Sequence, residues 1–171
     1  MINSSFSTSS EHDLKEIKSG IDKLEIFETS SKSIEQEILG RINPENQQII
    51  ESSLNFLSSD KMTVLVEKIG KLALKNFRDK YSNQESISFH NEHKQKFFLE
   101  IQQYIRLIRN SILIQDNENL QVPRVHQTLP YPDIYVDTLK NLKDELPEDL
   151  NFQSKKEIKN KIDYLIGRIS K

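Results

Sequence analysis

The sequence comprises 171 residues, of which 35% are hydrophobic and 29% charged, with a formal net charge of -2. This length fits one domain, or one domain with tails, and suffices to bury a core without covalent staples. The absence of cysteine excludes a disulfide scaffold, thiol catalysis and cysteine-ligated zinc or iron–sulfur clusters, and fits a cytoplasmic location.

A mean hydropathy of -0.63 is polar for a compact globule, so part of the chain is expected to lie outside the core. With 4 glycines and 5 prolines, breakers are too few for a turn-rich β fold, and long helices are favoured. Residues 1–57 carry 5 basic and 10 acidic side chains, leaving 19 and 16 for the remainder. An acidic N-terminal part therefore precedes a mildly basic rest. Met1–Asp13 is serine-rich and lacks the basic and apolar regions of a signal peptide. The longest apolar runs, such as Val64–Val66 and Ile112–Ile114, fall far short of the roughly 20 residues that span a bilayer. Neither a cofactor nor a transmembrane segment is expected.

The composition of residues 1–9 predicts a disordered tail. From Ser10 onward a single helical domain is expected, with acidic N-terminal helices over 10–58 and a helical core over 60–171. Leu14, Ile17, Ile21 and Leu24 form an apolar stripe through Glu11–Phe27 that could also pair with a second copy. A second helix holds Ile34, Ile38 and Ile42. Asn43 caps a third, with Pro44 at its first position and Ile49, Ile50, Leu54 and Leu57 on its apolar side.

Asp60 reads as the cap of a fourth helix over Lys61–Tyr81, with Met62, Leu65, Val66, Ile69, Leu72, Ala73 and Phe77 facing inward. After a polar stretch at Ser82–Ser88, a fifth helix runs from His90 to Ile114. It carries Phe97, Phe98, Ile101, Tyr104, Ile105, Ile108 and Ile112, the richest apolar face of the chain, and is expected to be central. Gln115–Tyr131 holds Pro123 and Pro130 and reads as an extended connector. Pro132 opens a sixth helix with Tyr135, Leu139, Leu142 and Leu146, and Pro147 stops it. Ser154-Lys155-Lys156-Glu157 matches a capping box at the start of a last helix with Ile158, Ile162, Leu165, Ile166 and Ile169. The fold expected is all-α, a bundle of six or seven helices.

Five constellations bear on function. Lys61, Lys68, Lys71, Lys75 and Arg78 fall within about 100° of one another on a helix, opposite most of its apolar face. Such a row can bind an acidic partner, an anionic lipid or nucleic acid. Lys155, Lys156, Lys159, Lys161, Arg168 and Lys171 give the last helix the same character. Tyr131 and Tyr135 flank the proline-rich entry to the sixth helix and are candidates for an aromatic docking surface. His90 and His93, three apart with Glu100 two turns beyond His93, have the spacing of partial metal ligands, though no third firm ligand accompanies them. Arg109-Asn110 begins like the motif of helical endoribonucleases of the HEPN type, but Ile114 stands where that motif needs histidine. No glycine-rich phosphate loop or nucleophile elbow is present.

Phe97-Phe98-Leu99-Glu100-Ile101 with Tyr104-Ile105, the Leu129-Pro130 connector, Leu146-Pro147-Glu148-Asp149-Leu150 and the closing Ile162-Asp163-Tyr164-Leu165-Ile166 form one pattern. Over residues 89–171 it resembles uncharacterised helical accessory domains of cyanobacterial proteins, linked to NTPases or effectors in bacterial signalling and conflict systems. That resemblance implies a helical accessory role and no catalytic residues. The function expected is a non-catalytic protein–protein interaction module (an adaptor, regulator or assembly subunit) with a protein partner. Nucleic-acid binding through the Lys/Arg helix faces is the alternative, and a hydrolase, nuclease or metal-binding protein using His90, His93 or Arg109 is a second.

Overall fold

The computed structural model describes residues 31–81, 91–117 and 132–170, and among these every regular element is a helix. The chain is therefore all-α, as its composition and periodicity predict. It divides into two compact units, Met1–Arg41 and Ile42–Lys171. The acidic region expected over 10–58 thus contributes to both. The predicted tail over 1–9, the stripe Leu14–Leu24 and most of the connector to Tyr131 lie outside the described residues.

In the first unit, residues 31–40 form helix α1. An exposed Glu37–Arg41 ion pair, 2.5 Å long and one turn apart, closes its end. The expected inward stripe is displaced. Leu39 is the buried side chain, whereas Ile34 is 59% exposed. Ile42 lies beyond the helix, because the chain leaves the helical path after Gly40.

The second unit holds α2 (Pro44–Leu57), α3 (Asp60–Lys80), α4 (Asn91–Ile114), α5 (Pro132–Asp144) and α6 (Phe152–Ile169). The Asn43 side chain accepts from the Glu45 N–H, with Pro44 at the first helical position, where its missing N–H costs nothing. The cap of α3 is Ser59, not Asp60; its hydroxyl accepts from the Met62 N–H and donates to the Phe56 carbonyl at 2.6 Å. Asp60 instead occupies the first turn, where a carboxylate favours the helix dipole. Nor does Ser154 cap α6. Asn151 does so, accepting from the Gln153 and Ser154 N–H groups. Ser154 is instead fully buried and donates to the Ile49 carbonyl of α2 at 3.0 Å. Ser53 donates to that same carbonyl at 2.8 Å.

Helix α4 packs on α2, α3 and α6 and reaches α5 through aromatic side chains, so it meets every other described helix of its unit. Its Phe97, Ile101, Tyr104, Ile105, Ile108 and Ile112 are all buried, each contributing roughly 1.5–3 kcal/mol by leaving water. On α3 the buried stripe is Met62, Val66, Ile69, Gly70, Ala73, Leu74 and Phe77. Leu74 replaces the expected Leu72, which is 48% exposed. Gly70 lies on the Leu74 side of the stripe, and the absence of a side chain there lets the Phe98 ring of α4 lie against α3.

Helix α4 ends in a left-handed residue. Gln115 has φ 54°. Its N–H donates to the Ile112 carbonyl, that of Asp116 to the Ser111 carbonyl, and the Ser111 hydroxyl to the Asp116 carbonyl at 2.6 Å. This is the Schellman pattern with glutamine in the usual glycine position. A side chain there costs about 1–2 kcal/mol, while glycine adds back about 0.4–1 kcal/mol of unfolded-state freedom. Gln115→Gly is therefore expected to stabilise the unit by about 0.5 kcal/mol net, read as a higher urea midpoint at unchanged slope.

Candidate functional site

The basic row lies on the outward side of α3, and the structure divides it into two groups. At the seam with the α5–α6 turn, Lys61 donates to Asp149 at 3.4 Å and Lys68 to Glu145 at 2.8 Å. Lys80, at the far end of α3, donates to Asp133 at the start of α5, 3.0 Å away. These pairs give α3 and α5 antiparallel directions, with cations of one helix facing carboxylates of the next. Lys71 folds back onto Glu67, one turn earlier, at 2.5 Å. Lys75 and Arg78 are exposed and form no ion pair among the described residues. Val64, 66% exposed, sits on the same outward face.

Tyr135 does not provide the aromatic surface expected of it. It is fully buried, with ring centroids 5.3 Å from Phe97 and 6.0 Å from Tyr104, the latter edge-on. Its hydroxyl donates to the buried carboxylate of Glu100. The proline before it starts the helix and aims this side chain at α4 rather than at solvent. Tyr131 lies outside the described residues.

His90 is likewise outside the described residues. His93 and Arg109 stand sixteen residues apart on α4, about 24 Å along the helix axis at 1.5 Å per residue. Arg109 donates from Nε to the Ser58 hydroxyl at 2.8 Å, and Glu100 faces Tyr135 in the core. These side chains therefore form no common site. Among the described residues, no group of three metal-ligating side chains converges.

Lys161 departs from the solvated face assigned to the last helix. It is 6% exposed, donates to Asn117 at 2.6 Å and lies 3.5 Å from Glu157. On α6 it falls between Ile158 and Leu165, both fully buried. Its paired head explains how a lysine occupies the core side. Lysine composition alone does not reveal that; its place three residues after Ile158 and four before Leu165 does.

A cleft of about 70 Å³ opens between α3 and α5, with Ala73, Phe77 and Ile134 beneath Asn76, Lys80, Asp133, Asp137 and Asn141. Small-molecule sites run to about 300–1,000 Å³, so this space admits a side chain rather than a cofactor. At one end, Tyr81 also donates to Asp133, at 3.1 Å, and the Lys80 ammonium lies 5.1 Å from the Tyr81 ring centre. Partial burial by itself pushes the Asp133 carboxyl up. The hydrogen bonds from Lys80 and Tyr81 outweigh it and hold the group below the usual carboxylate range. A depressed carboxyl stabilises the fold above its unfolded value and loses that contribution as pH falls through the folded one. Asp133→Asn is expected to destabilise slightly at pH 7. The deficit should shrink below about pH 4 and in high salt, as followed by denaturation midpoints across pH.

The chain matches no family model, and no curated protein is significantly similar to it. No helix among the described residues is long and apolar enough to cross a membrane.

Proposed function

We propose that the protein is a non-catalytic helical interaction module, an adaptor, regulator or assembly subunit acting in the cytoplasm. Its docking surface is the outward face of α3, and its partner a protein surface rich in carboxylates. One observation carries this reading. Val64, Lys71, Lys75 and Arg78 follow one another along that face, opposite the buried stripe, and the last two have no ionic partner among the described residues. Lys61 and Lys68 are partly neutralised by Asp149 and Glu145, so the end of α3 toward Arg78 carries the available charge. The accessory role that the pattern of residues 89–171 implies points the same way.

The test is capture of partners by the tagged protein, with and without nuclease, alongside a Lys75→Glu/Arg78→Glu variant of unchanged thermal stability. A stoichiometric protein that survives nuclease and is lost from the variant supports the reading. Loss of all binding on nuclease treatment, with a steep salt dependence, overturns it in favour of nucleic acid. A concentration-dependent mass with no partner would replace it with self-association.

A further inference from the structure

We propose that the cleft between α3 and α5 is a socket for one basic side chain, lysine or arginine, of a protein partner. The socket lies beside the outward face of α3 and does not depend on docking there. Its floor is apolar: Ala73 and Phe77 are buried at 4% exposure each and Ile134 at 2%. An aliphatic stem laid on these groups leaves water without stranding a polar atom. Its rim is polar, with the Asn76 and Asn141 amides and the Asp137 carboxylate at the mouth.

Charge decides which head group suits this rim. Lys80 and Asp133 pair with each other at 3.0 Å and so nearly cancel. Asp137 is exposed and forms no ion pair among the described residues. The mouth therefore carries a net negative charge, from Asp137, beside two side-chain amides whose oxygens can accept from N–H donors. A carboxylate ligand would be repelled by Asp137, and an apolar one would draw no charge attraction from the rim. A side chain with an apolar stem and a cationic head satisfies both floor and rim, and the cleft of about 70 Å³ has room for just one.

The experiment is an NMR titration of the full chain with N-acetyl-lysine methylamide and its arginine counterpart, with N-acetyl-norleucine methylamide as the uncharged control. Saturable shifts of the Asn76 and Asn141 side-chain amides are expected with the cations, at Kd on the order of millimolar. Asp137→Asn should weaken binding about threefold, the scale of one solvent-screened charge pair, and Asp137→Lys should abolish it. Asp137 is exposed, so neither variant threatens the fold. Equal shifts with norleucine, shifts indifferent to Asp137, or no saturable shift at these amides would each overturn the proposal. None of these outcomes bears on the Lys75 and Arg78 face, which the capture experiment tests separately.

Discussion

Tyr135→Ala is expected to lower the stability of the Ile42–Lys171 unit by about 3–5 kcal/mol, the usual cost of deleting a buried aromatic ring. The ring is fully buried and touches both Phe97 and Tyr104 of α4. Its removal opens a cavity where α5 meets the central helix. Tyr135→Phe separates packing from polarity. The ring stays, but the Glu100 carboxylate, 6% exposed, loses a donor, at an expected cost of about 1–3 kcal/mol. Urea midpoints measure both. Should Tyr135→Phe prove neutral, the hydroxyl contributes nothing to holding α5 against α4, and the value of this contact lies in the ring alone.

A second large effect is expected at Gly70. A Cβ built there meets Cε1 of the Phe98 ring closer than real Cβ atoms approach anything, and lies a tight 3.1 Å from Cδ1 and Cζ. Alanine in a helix interior gains about 1 kcal/mol over glycine. Forcing a packed ring aside typically costs about 1–3 kcal/mol. Phe98 is only half-buried, so its ring can yield in part, and Gly70→Ala should come out destabilising by about 1 kcal/mol. Gly70→Leu has no such relief, because it must part α3 from α4, and a loss of about 3 kcal/mol is expected. A Phe98→Ala background should recover most of the Gly70→Ala loss, appearing as coupling in a double-mutant cycle. Additive losses would show that the ring is not what excludes the side chain.

These two sites mark where sequence reading stops. Three-and-four spacing of isoleucine, leucine and aromatic residues places most of the buried faces of α4 and α6, but Phe98, Ile166 and Ile169 are only half-buried, and Lys161 takes a place on the inward side of α6. Asn43-Pro44, Pro132 and Pro147 likewise set boundaries through backbone constraints that act within a few residues. What eluded it depends on the neighbouring helix. Ser154 satisfies a capping-box pattern, yet its hydroxyl is used across the bundle on Ile49. Tyr135 beside its prolines resembles a surface aromatic, although it stands four and seven residues before the buried Leu139 and Leu142 and so shares their stripe; Glu100 and Phe97 opposite supply its partners. The lysine row was legible as a row. Which members were already matched was not, because Glu145 and Asp149 lie far along the chain and meet α3 only through the antiparallel course of α5.

The Ile49 carbonyl receives one hydroxyl from its own helix and one from a residue 105 positions later. The first helix of the unit is thus fastened to its last. During synthesis α2 emerges early, with its apolar face ready and its partner not yet made. The chain cannot complete this unit until α6 has been made, and a message truncated before residue 152 would yield a product that keeps α4 against α2 but lacks the α6 side of that packing.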